Sequence, residues 1–204
     1  IVTGWSDQNK GDRLRPNYRS RLVAKEFKAI RRAGLEKLFA GTPPSESVRY
    51  LLSEAVTVED GMPAKSKRIA VIDIKRAHFY AEAQRPIYIH IPAEDPRVVG
   101  GDGVAVLRKS FYGTQDAAAN WKNEDSKTLV AAGYARGKAS GCNFFHPVTG
   151  GKVLVHGDDF VAVGRRSALD GVQAVLEKAY EVKPQRLGWT KGRQREARIL
   201  GRII

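Results

Sequence analysis

The sequence has a single cysteine and lacks any long apolar run, and each absence excludes a class of protein. Cys142 alone cannot form an internal disulfide or supply the thiolates of a zinc cluster, so we expect a small buried or loop thiol in a reducing compartment. No apolar run reaches the roughly 18 residues of a membrane-spanning helix, and the amino end lacks a signal-peptide core. An intracellular protein without a membrane partner is therefore expected.

Acidic residues are few relative to basic ones. Lys and Arg number 35 against 22 Asp and Glu, which gives a formal net charge of +13. This excess favours a polyanionic partner over an acidic small molecule, and nucleic acid is the leading candidate. A basic amphipathic membrane helix would give a similar balance, but no segment places its cations on one side and bulky apolar residues on the other.

The length of 204 residues suits one large domain or two small lobes with a buried core. The chain begins in mid-pattern at Ile1 without a methionine and stops on the apolar pair 203–204. We therefore expect a piece of a longer protein.

Hydrophobic spacing predicts a succession of short strands and helices. Helices are predicted after the N-caps Ser45 and Ser167, and another from Thr114 to a stop at Gly133. An exposed basic strand is predicted around Leu22–Ala24. Apolar or alternating runs predict further strands at 68–74, 86–92, 104–108, 152–156 and 160–163. This order is typical of an α+β sandwich.

Aspartates occur at two places where a carboxylate lowers the stability of the fold, by burial in one case and by repulsion between adjacent charges in the other. Asp73 closes a buried strand, where it needs a partner or a metal, although an Asp bonding to a turn amide would also fit. Asp158 and Asp159 lie at the tip of a predicted hairpin, and the alternative for this pair is a polar solvated turn. If the strands are neighbours, the acids form a hard-oxygen magnesium site. Such a site would serve a polymerase, a nuclease or a phosphatase.

Seven further segments form a pattern along the chain: RLVAKEF at 21–27, LFA at 38–40 with VRYLL at 48–52, VIDIKRAHF at 71–79, IYIHIP at 87–92, SFYGTQDA at 110–117 up to Trp121, VHGDDF at 155–160, and LG at 187–188 with LGRI at 200–203. In this order they resemble the motifs of copia-type retrotransposon reverse transcriptases, among them RLVAKGF, MDVKTAFL, SLYGLKQAPRQW and the YVDD box.

The resemblance implies an RNA-directed DNA polymerase, a nucleotidyltransferase that belongs to a Pol polyprotein. Its partners would be an RNA template, a DNA or RNA primer, dNTPs and the remainder of the polyprotein, in a cytoplasmic virus-like particle or the nucleus. Its cofactor would be Mg²⁺, with Mn²⁺ as an alternative. The implied fold is α+β, with an antiparallel palm sheet backed by helices and the thumb missing. Fingers would lie mainly in 1–70, and palm mainly in 71–204 with an interleaved fingers segment.

The resemblance also implies roles for the carboxylates. Asp73 and Asp158 would bind both metals, and Asp159 would be the third carboxylate beside the primer end. Lys183, expected near the end of the last helical stretch, would assist pyrophosphate departure as a general acid. An ordinary surface lysine is the alternative.

Nucleotide-binding residues are implied in the same way. Arg21, with Arg19 and Lys25 as alternates, would reach the incoming triphosphate, whereas a solvated basic strand is the alternative. Tyr112 and Gly113 would form the floor of the nucleotide pocket, because glycine permits close backbone approach. The alternative for Tyr112 is a core aromatic.

Several positions depart from the family pattern. Glu26 replaces a glycine, the segment 116–119 reads DAAA instead of QAPR, and His156–Gly157 replaces Tyr-Val. His78 stands where a Phe or Tyr blocks the ribose 2′ hydroxyl, and a core histidine is the alternative. These changes leave open a decayed remnant that binds nucleic acid without turnover. A two-metal nuclease is disfavoured, because it needs no nucleotide pocket around Tyr112.

Overall fold

The structure is a computed structural model, and it describes residues 1–26, 38, 40–58, 67–98, 100, 103–188 and 192–204. The motif residues Phe27 and Phe39 lie outside this range. The elements in chain order are β1 (Thr3–Asn9), β2 (Tyr18–Ala24), α1 (Ser45–Val56), β3 (Arg68–Ile74), a 3₁₀ helix (Ala77–Tyr80), β4 (Tyr88–His90), β5 (Val104–Val106), α2 (Ala117–Ala131), β6 (Ala135–Arg136), β7 (Asn143–Phe145), β8 (Lys152–His156), β9 (Asp159–Gly164), α3 (Arg166–Ala179), β10 (Val182–Arg186), β11 (Arg198–Ile199) and β12 (Arg202–Ile203).

The helix starts differ from those that the sequence predicts. Pro44 is the N-cap of α1, and Ser45 is the first helical residue, with its hydroxyl donating to Glu46. Arg165 is the N-cap of α3, so Ser167 lies inside the helix. Neither helix has a side-chain cap hydrogen bond, and both predicted caps are therefore wrong by one or two residues. Helix α2 begins after Thr114, whereas its predicted stop at Gly133 agrees with a φ of 90° there.

The chain forms two compact units. The first comprises residues 1–40 and 78–121, and the second comprises 41–77 and 122–204. Within the first unit, β1 and β2 form an antiparallel hairpin, and β4 pairs with β5. Strand β1 is polar and was not predicted. Its backbone bonds are satisfied by β2, so this strand needs little apolar content of its own.

A six-stranded antiparallel sheet forms the centre of the second unit, in the order β10-β3-β9-β8-β7-β6. Helix α3 packs against β3, β9 and β10, and α1 packs against β8 and β9. A mixed α+β fold with antiparallel sheets is confirmed. No helix in the described part of the chain is both long enough and apolar enough to cross a membrane.

One face of this sheet changes from apolar to charged along its strands. Side chains alternate between faces in a strand, so Val71 and Asp73 share a face, as do Val161 and Asp159. Val71 and Val161 belong to a core that includes residues of α1 and Ile199 of β11. The aspartates lie one step further, where β3 ends and β9 begins. The fold therefore carries the acids on the edge of a packed core.

Candidate active site

Cross-strand pairing forms a row of charged and polar side chains at this end of the sheet. Asp73 on β3 is the register partner of Asp159 on β9. On the far side of each acid, Lys183 of β10 pairs with Asp73, and His156 of β8 pairs with Asp159. Directly opposed residues share a face with Cβ atoms about 5 Å apart. The row therefore runs Lys183, Asp73, Asp159, His156.

The turn between β8 and β9 holds the remaining acid. The predicted hairpin is confirmed, with Gly157 and Asp158 as its two-residue connection and a φ of 62° at Gly157. Glycine at this first turn position suits a type II′ hairpin. Asp159, predicted at the tip, is instead the first residue of β9. Asp158 is exposed, and its carbonyl oxygen accepts a hydrogen bond of 2.9 Å from the backbone nitrogen of Ile74. The turn is thereby fastened to the end of β3.

The electrostatics of the row centre on Asp159. Burial, and after it the charges of Asp158 and Asp73, raise the pKa of the Asp159 carboxyl group to about 6. His156 acts in the opposite direction. Asp73 and Asp158 therefore both act on Asp159 at one end of the sheet. Like charges placed opposite each other are destabilising, and a bound cation would relieve that repulsion.

A cleft of about 490 Å³ opens beside the row, lined by Asp73, Asp159 and Lys183 together with Gln185, Gln194, Glu196 and Arg198. Lys183 lies on strand β10, so the expectation that it sits near the end of a helical stretch is wrong. The polar sequence VKPQR hides this strand. In a strand, Lys183 and Gln185 lie two residues apart and therefore on the same face, and both line the cleft. This spacing is the one signal in the sequence that links the two residues.

The carboxylates fit magnesium by their chemistry, although they do not form a complete cage. Among the described residues, no group of three or more His, Cys, Asp or Glu side chains is arranged so that it could hold a metal ion. Magnesium is usually bound through one or two carboxylates, with water and substrate phosphates completing its shell. The opposed pair Asp73 and Asp159 offers such a partial set of hard oxygen ligands.

Aromatic rings surround Tyr112 in the first unit. The His78 imidazole stacks on the Tyr112 ring, with centroids 4.8 Å apart and planes 19° apart. The Arg21 guanidinium carbon lies 5.4 Å from the centre of the same ring, within cation–π distance. Phe79 contacts this ring by its edge. Three of the predicted nucleotide-binding residues are therefore in contact, and both Tyr112 and His78 are half-buried.

The other two predicted nucleotide-binding residues pack against backbone. Gly113 has a φ of 86°, and a Cβ atom there would lie 1.9 Å from the Ala24 carbonyl oxygen. The close backbone approach that this glycine allows is thus an approach to strand β2. The sequence had led us to expect that the backbone here approaches a ligand. The Lys25 side chain lies over Gly4 of β1. These residues belong to the first unit, and the carboxylates and Lys183 belong to the second.

Comparison with known proteins places the chain in a family. A family model described as reverse transcriptase (RNA-dependent DNA polymerase) matches residues 1–188. The Retrovirus-related Pol polyprotein from transposon TNT 1-94 of Nicotiana tabacum is 25% identical over 200 residues. The alignment covers 93% of this chain, and the chain spans 14% of the length of the tobacco protein. The resemblance to copia-type enzymes is confirmed, and the chain belongs to the reverse transcriptase (RNA-dependent DNA polymerase) family.

Proposed function

We propose that the chain is an RNA-directed DNA polymerase that extends a primer on an RNA template by magnesium-dependent nucleotidyl transfer. The observation that carries this proposal is the pairing of Asp73 with Asp159 on adjacent strands, with Asp158 in the turn beside them, in a chain of this family. Its substrates would be a DNA or RNA primer, an RNA template and dNTPs. The proposal includes a place within a Pol polyprotein, like that of the tobacco relative.

The carboxylates have distinct roles in this proposal. Asp73 and Asp158 would hold the two metal ions, and Asp159 would be the third carboxylate, beside the primer end. When bound, Mg²⁺, or Mn²⁺ in its place, increases the acidity of the 3′ hydroxyl and neutralises charge on the departing pyrophosphate. Lys183 stands opposite Asp73 in the row and is exposed, and in the proposal its ammonium group donates a proton to pyrophosphate.

Residues of the first unit bind the nucleotide in this proposal. Arg21 and Lys25 attract the triphosphate, and Tyr112 with Gly113 forms the floor under the base and sugar. His78 restricts the sugar, because its ring is held by stacking on Tyr112. The first unit would correspond to fingers, and the second, which contains the six-stranded sheet, to palm.

Primer extension on an RNA template tests the proposal. We expect the chain to add dNTPs when Mg²⁺ is present and to stop when EDTA is added. Asp159→Asn should lower the extension rate by about 100-fold or more, since it removes the third of the three negative charges that would surround the metal ions and the primer end. Asp7→Asn is the matched control, because Asp7 is an exposed carboxylate that faces Ser20 on the β1–β2 hairpin. It should leave the rate unchanged.

Two outcomes would contradict the proposal. One is tight template binding without extension in either Mg²⁺ or Mn²⁺. The other is extension that continues at the wild-type rate after Asp158→Asn and Asp159→Asn are combined. A melting temperature measured for each variant identifies loss of fold, so that an unfolded variant is not counted as an inactive one.

A further inference from the structure

Two of the positions that depart from the family pattern meet on one arginine. Arg85 donates from Nη2 to Glu26 Oε2 at 2.6 Å. The same guanidinium donates from Nε to Asp116 Oδ2 at 3.2 Å and from Nη2 to Asp116 Oδ1 at 3.3 Å. Glu26 stands in place of a glycine of the motif, and Asp116 in place of a glutamine. The substitutions are therefore coupled in space, although they lie in separate motifs.

The coupling is strong because the three side chains are largely withdrawn from water. The side chains of Asp116, Glu26 and Arg85 are 3%, 9% and 22% exposed. Charged groups buried to this extent require a partner, and loss of one partner leaves the others uncompensated. The two-pronged contact with Asp116 also fixes the orientation of the guanidinium plane.

The ion-pair network holds together the two segments that carry Arg21 and Tyr112. Glu26 Oε2 also accepts a hydrogen bond of 2.9 Å from the backbone nitrogen of Gln115. Beside it, the Ala24 nitrogen donates to the Tyr112 carbonyl oxygen at 2.7 Å, and the Glu26 nitrogen donates to the Gly113 carbonyl oxygen at 3.4 Å. These bonds fasten the end of β2 to the segment before α2.

We propose that Arg85 is a positioning residue for nucleotide binding. This proposal rests on the function proposed above. Through Glu26 and Asp116 it sets the distance between β2 and residues 112–116, and hence the 5.4 Å approach of the Arg21 guanidinium to the Tyr112 ring. The ligand is a nucleoside triphosphate. Arg85 itself touches no substrate and acts only by holding in place the groups that do.

Equilibrium binding of a fluorescent dATP analogue in Mg²⁺, without primer or template, tests the role of Arg85. Arg85→Met should weaken binding roughly tenfold or more. In primer extension the same variant should raise the KM for dNTP by a similar factor and change kcat by less than about twofold, since the carboxylates are untouched. Arg85→Lys keeps the positive charge but loses the bidentate guanidinium contact with Asp116. The affinity of this variant for the analogue should fall between those of wild type and Arg85→Met.

Two further variants separate positioning from simple loss of stability. The combination Glu26→Gln, Arg85→Met, Asp116→Asn leaves no buried charge without a partner, so it should fold even if Arg85→Met does not, and it should still bind the analogue weakly. Asn120→Ala removes a buried hydrogen bond of 3.0 Å to Ser110 in the same unit. It should lower the melting temperature and leave the affinity near that of wild type.

Wild-type affinity in the triple variant, or an equal loss of affinity in Asn120→Ala, would overturn the positioning role. Failure of the wild-type chain to bind the analogue would overturn it too. If wild type binds the analogue but extends no primer, the polymerase proposal fails while the role of Arg85 is still decided by the binding data.

Discussion

At the scale of single residues, Asp125 on α2 shows how burial sets the state of a carboxyl group. Only 2% of Asp125 is exposed, and burial raises the pKa of its carboxyl group to about 7. The Ser126 hydroxyl donates to Oδ1 at 3.1 Å, and the charges of Lys122 and Arg136 favour the ionised form, whereas Glu124 opposes it. Burial is the largest effect, so the acid is neutral in the folded protein below about pH 7.

We therefore predict that the free energy of unfolding decreases as the pH rises from about 4 to about 7. In the unfolded chain this carboxyl ionises near pH 3.9, so over that range the folded state holds the proton that the unfolded state has lost. Asp125→Asn should remove the part of this decrease that Asp125 causes, leaving the smaller part that Asp159 causes, and should stabilise the protein at pH 8 by up to about 4 kcal/mol. Urea unfolding at pH 5 and pH 8 measures the difference.

The exposed Asp7→Asn variant is the control for the pH measurement, and its stability should follow that of wild type at both pH values. If Asp125→Asn changed stability equally at pH 5 and pH 8, the carboxyl group would not be the source of the pH dependence.

At the scale of elements, the pairing of β3 with β9 places two carboxylates opposite each other. Their repulsion costs the fold about 1 kcal/mol, so under the proposed function the row would lower stability in return for activity. At pH 8, above the Asp159 pKa of about 6, Asp159→Asn should raise the free energy of unfolding in metal-free urea titrations. Asp7→Asn, which faces Ser20, should not.

Addition of Mg²⁺ should make the wild type more stable than Asp159→Asn, the reverse of the order expected in metal-free buffer. A ligand that binds only the folded state stabilises it, and the wild-type pair should gain more than Asp159→Asn. Melting temperatures with and without Mg²⁺ provide the comparison. If Asp159→Asn were less stable than wild type in metal-free buffer, Asp159 would have a structural partner whose contribution to stability exceeds the repulsion, and the metal-free prediction would be wrong.

Elements with local signals could be predicted from the sequence, and those that depend on distant pairing could not. The apolar run of β3 and the β8–β9 hairpin lie where the pattern places them, because each pattern is contained within a few residues. Polar strands β1 and β10 have no such signal, since their partners determine them. Helix caps differ by a residue or two because Ser and Thr also suit the first helical turn.

The same distinction applies to the candidate site. The aspartates stand out because each is a costly residue at a strand end or turn, and the motifs identify them. The opposition of Asp73 to Asp159 depends on a register between strands far apart in the chain. Arg85 lies between motifs, and its partners are 59 and 31 residues away. No local pattern could indicate that it joins Glu26 to Asp116.

At the scale of the whole molecule, the net charge of +13 raises the question of where a polyanion would bind. The turn between β1 and β2 carries Lys10, Arg13 and Arg15, all exposed. Asn9 Oδ1 accepts hydrogen bonds from the backbone nitrogens of Gly11 and Asn17, which gives the turn a defined shape. A turn whose backbone is already ordered loses less conformational entropy on binding phosphates than a disordered tail does.

We predict that this turn accounts for a measurable part of the salt dependence of RNA binding. Each cation that neutralises a phosphate contributes about 0.7 to the slope of log affinity against log salt for a single strand, so replacing all three by Gln should reduce the slope by about 2. Fluorescence anisotropy with a labelled RNA over a range of salt concentrations measures it. The double variant Asp158→Asn, Asp159→Asn should keep the wild-type slope, because it removes no cation.

The control for this measurement replaces exposed lysines of the second unit, Lys127, Lys138 and Lys178, by Gln. It changes the net charge by the same amount, but these residues lie on α2, after β6 and on α3 rather than in one turn. If affinity depended only on net charge, both triple variants would reduce the slope equally. A larger reduction for the β1–β2 turn would instead mean that phosphates bind there, because counterion release counts local contacts and not total charge. An unchanged slope in the turn variant would exclude the turn as a phosphate-binding surface.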